Sequence, residues 1–112
     1  MSRTRPAIRQ GAPADAGAKG LEILFKFMYY VYILLQNNKQ LYTGFTKNIR
    51  KRIGDHKKGL VKSTKKRLPV KLVHYEAHLK ESDARRREKF LKTSEGKRLL
   101  KMQIRDLLKE IK

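Results

Sequence analysis

The sequence has no cysteine, no tryptophan and only three prolines in 112 residues. Without cysteine there are no disulfides and no thiolate metal sites, which fits a reducing cytoplasm and leaves an apolar core to hold the fold. Acidic residues are scarce as well: 10 stand against 29 Lys and Arg, for a formal net charge of +19. A surface that positive repels itself and calls for a polyanion. Nucleic acid is the natural one, because its phosphates release counterions on binding. No apolar run approaches the ~20 residues that span a bilayer. No basic amphipathic helix with a bulky aromatic face is evident either, so no membrane partner is expected. The basic start of the chain is not followed by an apolar stretch with a small-residue cleavage site, so no signal peptide is read. A phosphate-binding glycine loop and a Ser/His/Asp set are also missing. Charge alone leaves two classes open: an enzyme acting on nucleic acid, and a protein that only binds and neutralises it.

Residues 1–27 differ in composition from the rest. Through Gly20 they hold mostly Gly, Ala, Pro, Ser and Arg, with almost nothing to bury, and residues 21–27 are apolar but few. The stretch reads as a disordered leader, with Met28 as the expected natural start. Residues 28–112 read as one domain with one modest core.

Within that domain, residues 30–36 (YVYILLQ) are β-branched, aromatic and apolar on both faces, the pattern of a central strand. Asn37, Asn38 and Lys39 supply turn chemistry, and residues 41–46 (LYTGFT) read as the returning strand of a hairpin. Asn48 is a good helix N-cap, Ile49, Ile53 and His56 recur at helical spacing, and Gly59 marks the helix end. Residues 62–69 form a basic loop, and residues 70–77 (VKLVHYEA) alternate as a third strand. Ser82 or Asp83 is expected to cap a second helix reaching about Thr93. Ser94 or Glu95 opens a last helix, with Leu100, Ile104, Leu107 and Ile111 as its stripe. The order β-β-α-β-α-α makes an α+β fold: a small antiparallel three-stranded sheet flanked by helices, expected to be covered on one side.

Several residues carry chemistry as well as packing. If Gln36 pairs with Gln40 across the turn, Tyr32 lies opposite Gly44 with Tyr42 diagonal to it, because side chains alternate along a strand. Two phenols beside a glycine make a pocket, since an in-strand glycine often marks close approach by another group. Tyrosines also favour strands on propensity alone. Arg52 and His56 are four residues apart and stack on one helix face, where a guanidinium can meet a phosphate. Glu88 shares a face with Ala84 and Leu91. A carboxylate on an apolar stripe needs a cation, either a neighbouring arginine or a metal such as Mg²⁺. His74, Glu76 and His78 alternate and could bind zinc, but they run to a strand end with no second acidic cluster nearby.

Together these residues resemble the GIY-YIG endonuclease superfamily, most closely its small single-domain bacterial members. The motifs are Tyr30-Val31-Tyr32, Tyr42-Thr43-Gly44, the arginine helix over residues 48–56, Thr64 in the polar stretch that follows, and residues 84–92 (ARRREKFLK). Tyr30 and Thr43 depart from the family letters. The asparagine that some larger relatives carry beyond the glutamate has no counterpart, since Leu100 occupies that neighbourhood. The resemblance implies a metal-dependent endonuclease that hydrolyses DNA phosphodiesters, with structural or loose sequence preference, in DNA repair or recombination. It implies Tyr32 as general base, Tyr42 as the group that orients it, and Arg52 on the phosphate charge. His56 would assist the phosphate or relay a proton, and Glu88 would hold one Mg²⁺ or Mn²⁺. Gly44, Lys47, Lys51, Thr64, Lys65, Lys66, Arg67 and Arg85 are expected along the substrate. The expected partner is DNA, possibly branched, bound by a monomer, and RNA stays open. The positive field of Arg52, Lys47, Lys51 and the metal is expected to favour the Tyr32 phenolate and so draw its pKa down. The alternative is a non-catalytic basic nucleic-acid-binding protein that keeps the fold.

Overall fold

Residues 30 to 34 form an unbroken buried run, and such a run, apolar on both faces, is stable only between two neighbours and two layers. In the computed structural model, which describes residues 27–111, it is the centre of strand β1, Tyr29–Leu35. The expected leader falls almost wholly on residues 1–26, outside the described residues. Strand β1 pairs antiparallel with β2, Leu41–Thr46, and with β3, Lys71–His78, so the sheet order is β2-β1-β3.

The hairpin turn sets the register. Lys39 N donates to Gln36 O at 2.9 Å, Gln40 N donates to Asn38 Oδ1 at 3.1 Å, and Lys39 takes φ 71°. This is a three-residue loop in which a tight turn is followed by a left-handed residue. It places Tyr32 opposite Gly44 and Leu34 opposite Tyr42.

Helix α1, Ile49–Lys57, is capped by Asn48, whose side chain accepts from Lys51 N at 3.2 Å. It ends in a left-handed turn at Gly59 (φ 78°), with Gly59 N bonded to His56 O at 3.0 Å and Leu60 N to Asp55 O at 2.9 Å. A short 3-10 turn, Lys65–Arg67, lies in the basic stretch before β3. The remaining helices are α2, Glu81–Leu91, α3, Ser94–Gln103, and α4, Arg105–Glu110.

Three expectations are corrected here. Ser82 and Asp83 do not cap α2, which starts after Lys80 without a side-chain cap. Its acids instead pair along the helix, Glu81 with Arg85 and Asp83 with Arg86, both at 2.9 Å, and their charges favour the helix N-terminus. The single last helix is broken at Ile104 (φ −110°, ψ 28°) into α3 and α4. Ile104 itself stays packed on the core. Finally, the sheet is covered on both faces. Val31 and Ile33 pack against Ala84, Leu91 and Leu100 of α2 and α3. On the other face Tyr32 and Leu34 pack with Val70, Tyr42 and Ile49 and Ile53 of α1. A strand with no polar face needs cover on each side. No helix among the described residues is long and apolar enough to cross a membrane.

Leu100 is 2% exposed inside the α2–α3 layer, whereas its neighbour Leu99 is 40% exposed. Leu100→Ala is expected to cost ~2–5 kcal/mol of stability, and Leu99→Ala less than about 0.5 kcal/mol. Urea denaturation of the two variants checks the assignment of the core.

Candidate active site

The layer between the sheet and α1 buries polar groups that must find partners inside the protein. The Tyr32 hydroxyl lies 2.7 Å from His56 Nε2, and Arg52 Nε donates to the same oxygen at 3.3 Å. On the far side of the imidazole, His56 Nδ1 lies 2.7 Å from Thr64 Oγ1. Arg52 and His56 reach the sheet together because they sit one turn apart on α1. The Tyr42 hydroxyl accepts from Ser63 Oγ at 3.1 Å, and its ring meets the His56 ring edge-on at 5.2 Å. An open groove of about 640 Å³ runs past this cluster, lined by Arg52, Leu60, Val61, Lys62 and Ser63.

Gly44 was expected to face a substrate. It is buried, and a Cβ at that position would overlap the ring and hydroxyl of Tyr32. The bare backbone makes room for the phenol of the neighbouring strand. Thr64, also expected along the substrate, is fully buried and spends its hydroxyl on His56.

Burial holds His56 neutral. It lowers the imidazole pKa from 6.5 to about 4, and the Arg52 charge adds to the effect while Asp55 opposes it. A neutral imidazole has one donor and one acceptor nitrogen. The row Thr64–His56–Tyr32 is therefore a directional chain of hydrogen bonds through which a proton can pass. The Tyr32 pKa is raised, chiefly by burial. The Arg52 hydrogen bond works against this, and the charges of Tyr42 and Glu88 add to it. Of the side-chain cations expected to draw it down, Arg52 is outweighed by burial, and Lys47 and Lys51 are engaged elsewhere. Lys51 bonds Asp55 at 2.9 Å, while Lys47 lies 3.9 Å from Glu81 and over the Tyr29 ring.

Lys65, Lys66 and Arg67 are exposed on the 3-10 turn. Arg85 belongs to the other layer, bonded to Glu81 at 2.9 Å with its guanidinium 4.0 Å from the Phe45 ring centre. Glu88, on α2, is 17% exposed at its side chain and pairs with Lys92 at 3.2 Å. Its charge is felt at Tyr32.

His74, Glu76 and His78 do not assemble as a metal centre. Arg87 donates to Glu76 with two nitrogens, at 2.9 and 3.0 Å, and His74 Nε2 is 3.1 Å away. Burial works against the Glu76 carboxylate, but Arg87 and His74 outweigh it and the pKa falls. Among the described residues no group of three His, Cys, Asp or Glu is placed to hold a metal ion.

Two contributors were missed in the sequence. Ser63 was hidden in the polar stretch beside Thr64. Asn37 looked like a turn residue only, yet its backbone N bonds Arg67 O at 2.9 Å and its Nδ2 bonds Leu68 O at 2.8 Å, which ties the basic loop to the hairpin.

Residues 28–102 match the GIY-YIG catalytic domain, and the chain belongs to this family, a nuclease family that acts on DNA. It is 44% identical over 75 residues to a UPF0213 protein of Staphylococcus haemolyticus, covering 66% of this chain and 92% of that one. It is 46% identical over 66 residues to a UPF0213 protein of Clostridium perfringens (58% of this chain, 71% of that one). A UPF0213 protein of Natronomonas pharaonis is 41% identical over 66 residues (58% and 78%). No solved structure matches the chain significantly.

The His56 shift has a measurable consequence. A histidine whose pKa is 6.5 unfolded and about 4 folded stabilises the protein fully above pH 6.5. That contribution is lost progressively as the pH falls to about 4, because only the unfolded chain takes up the proton in that window. The loss is of the order of 3 kcal/mol. Denaturation at pH 7, 6, 5 and 4 is expected to show it in the wild type, and His56→Gln should flatten the curve.

Proposed function

We propose that the protein is a divalent-metal-dependent endonuclease that hydrolyses DNA phosphodiester bonds. In this reading it works as a cytoplasmic monomer in repair or recombination, on branched DNA or at loosely defined sequences. One observation carries the proposal: the hydrogen-bonded chain from Arg52 through Tyr32 and His56 to Thr64 lies beside an open cationic groove in a domain of a nuclease family. A protein that only neutralised phosphate would have no use for a buried proton path, which argues against the simple binder.

The residues divide the work as follows. Arg52 lines the groove and touches Tyr32 at once, so a phosphate entering the groove competes for its guanidinium. A planar guanidinium matches phosphate oxygens. Tyr32 is fully enclosed in the resting protein, and its hydroxyl meets water only as Arg52 moves onto the phosphate. Tyr32 then takes a proton from the attacking water and passes its own to His56 Nε2. The water oxygen bonds to phosphorus as the bond to the leaving oxygen breaks. That oxygen takes the bonding pair and a proton from solvent. His56, which burial disfavours as a cation, returns its proton to solvent through Tyr32 as the product leaves. Thr64 accepts from His56 Nδ1 and keeps Nε2 as the acceptor. Tyr42, anchored by Ser63, fixes the edge of the pocket. Lys62, Lys65, Lys66 and Arg67 hold the backbone on either side without reading bases.

Glu88 fits a metal of limited demand. It is a single, mostly covered carboxylate whose partner is the Lys92 ammonium, and a hydrated Mg²⁺ or Mn²⁺ needs only one or two carboxylates besides water and phosphate oxygens. Such an ion would supply charge neutralisation at the phosphate and a more acidic water.

The direct test incubates the protein with plasmid, branched DNA and RNA in Mg²⁺, Mn²⁺ or EDTA. Cutting of DNA is expected with metal and not with EDTA. Binding without cutting in any metal would leave the binder instead, and preferential cutting of RNA would change the substrate. Tyr32→Phe is expected to slow cleavage about 10²–10⁴-fold with DNA affinity retained; full activity in that variant would remove Tyr32 as the base. Glu88→Gln is expected to stop metal-dependent cutting with an unchanged circular dichroism spectrum, and unfolding instead would mark Glu88 as a structural ion-pair partner.

A further inference from the structure

Leu60 departs from the local rule that governs its position. It is the second residue beyond Lys58, the C-cap of α1. In a helix stop closed by a left-handed glycine, an apolar side chain there normally folds back on the last helical turn. In this protein the facing residue is Asp55, which is paired with Lys51 at 2.9 Å. Leu60 stays 68% exposed.

The backbone beneath it is nevertheless firmly held. Leu60 N bonds Asp55 O at 2.9 Å, and the following Val61 is buried and accepts from both Thr64 N and Lys65 N. The side chain is therefore presented at a defined point on the groove wall, next to Arg52, Lys62 and Ser63. Exposed Lys57, Lys58 and Lys62 lie close to it in the chain. An aliphatic group in a cationic groove gains nothing from phosphate. It gains from the face of an unstacked base, and aliphatic side chains serve as wedges at base steps.

We propose that Leu60 is such a wedge, entering the base step beside the phosphate that Arg52 holds, and that the substrate class is DNA whose stacking is already interrupted: a branch point, a flap or a mismatch. Opening a continuous duplex costs unstacking energy, which a branch point has already lost. Leu60 is then a specificity-determining residue, and Arg52 and the lysines supply the affinity common to all DNA. This inference rests on the nucleic-acid reading above and narrows it.

The test uses binding in EDTA, so that it does not depend on cleavage. A three-way junction and a continuous duplex each carry 2-aminopurine at the same sequence position, at the branch point in the junction. The wild type is expected to bind the junction roughly 10–100-fold tighter than the duplex, the ratio that a step costing a few kcal/mol provides. Bound junction should also fluoresce more brightly as the probe unstacks. Leu60→Ala should keep the duplex affinity and lose most of the junction preference and of the fluorescence rise, and Leu60→Met should restore both. Unchanged preference and fluorescence in Leu60→Ala would overturn the wedge and leave the nuclease reading standing. Equal binding of junction and duplex by the wild type would do the same. Failure of the wild type to bind either DNA would overturn both readings.

Discussion

The Tyr32 hydroxyl lies inside the layer between the sheet and α1, and a polar group in that position destabilises the fold unless it is bonded. Much of the local architecture answers that requirement. Gly44 gives up a side chain so that the phenol can lie across its backbone. Arg52 and His56 are spaced one helical turn apart, and both reach the same oxygen. Thr64 closes the chain from a loop that would otherwise have no reason to be buried. The same bonds that satisfy the hydroxyl also connect it to a neutral imidazole and to the groove, so the structural requirement and the chemical one fall on the same atoms.

The basic loop gains its order from the same source. Thr64 anchors its middle to His56, and Asn37 anchors its far end to the hairpin turn. Between those anchors the lysines and Arg67 project outward. The helix stop at Gly59 starts the loop, and the buried Val61 turns it back. A surface with this much like charge would be expected to fluctuate, but here its backbone is held by bonds on both sides. That is what allows a groove of defined shape to exist at a small, strongly cationic domain.

The opposite layer has a different role. The α2 helix presents Ala84 and Leu91 to the sheet and uses its acids to hold arginines: Glu81 with Arg85, Asp83 with Arg86, and Glu76 of β3 with Arg87. Most of these pairs are exposed and contribute little stability individually. Their effect is on position. Arg85 is laid over Phe45 and Lys47 is drawn toward Glu81, so both of these cations have partners within the domain. Glu88 belongs to this layer as well, paired with Lys92 at 3.2 Å.

Local pattern was enough for the individual strands, the hairpin register, the Asn48 cap and the Gly59 stop, because each depends on residues within a few positions of one another. The motif residues of the family were readable for the same reason: Tyr32, Tyr42, Arg52 and His56 keep a fixed order along the chain. Tertiary packing alone decided that both sheet faces are covered, that Thr64 turns inward to His56, that Gly44 makes room for the Tyr32 ring, and that Ser63 and Asn37 take part at all. It also decided the sign of the Tyr32 shift, since burial exceeds the effect of one guanidinium. Those features join groups far apart in sequence. Hydrogen-bond partnership and desolvation depend on which surfaces meet, and a linear pattern of residue types does not specify that.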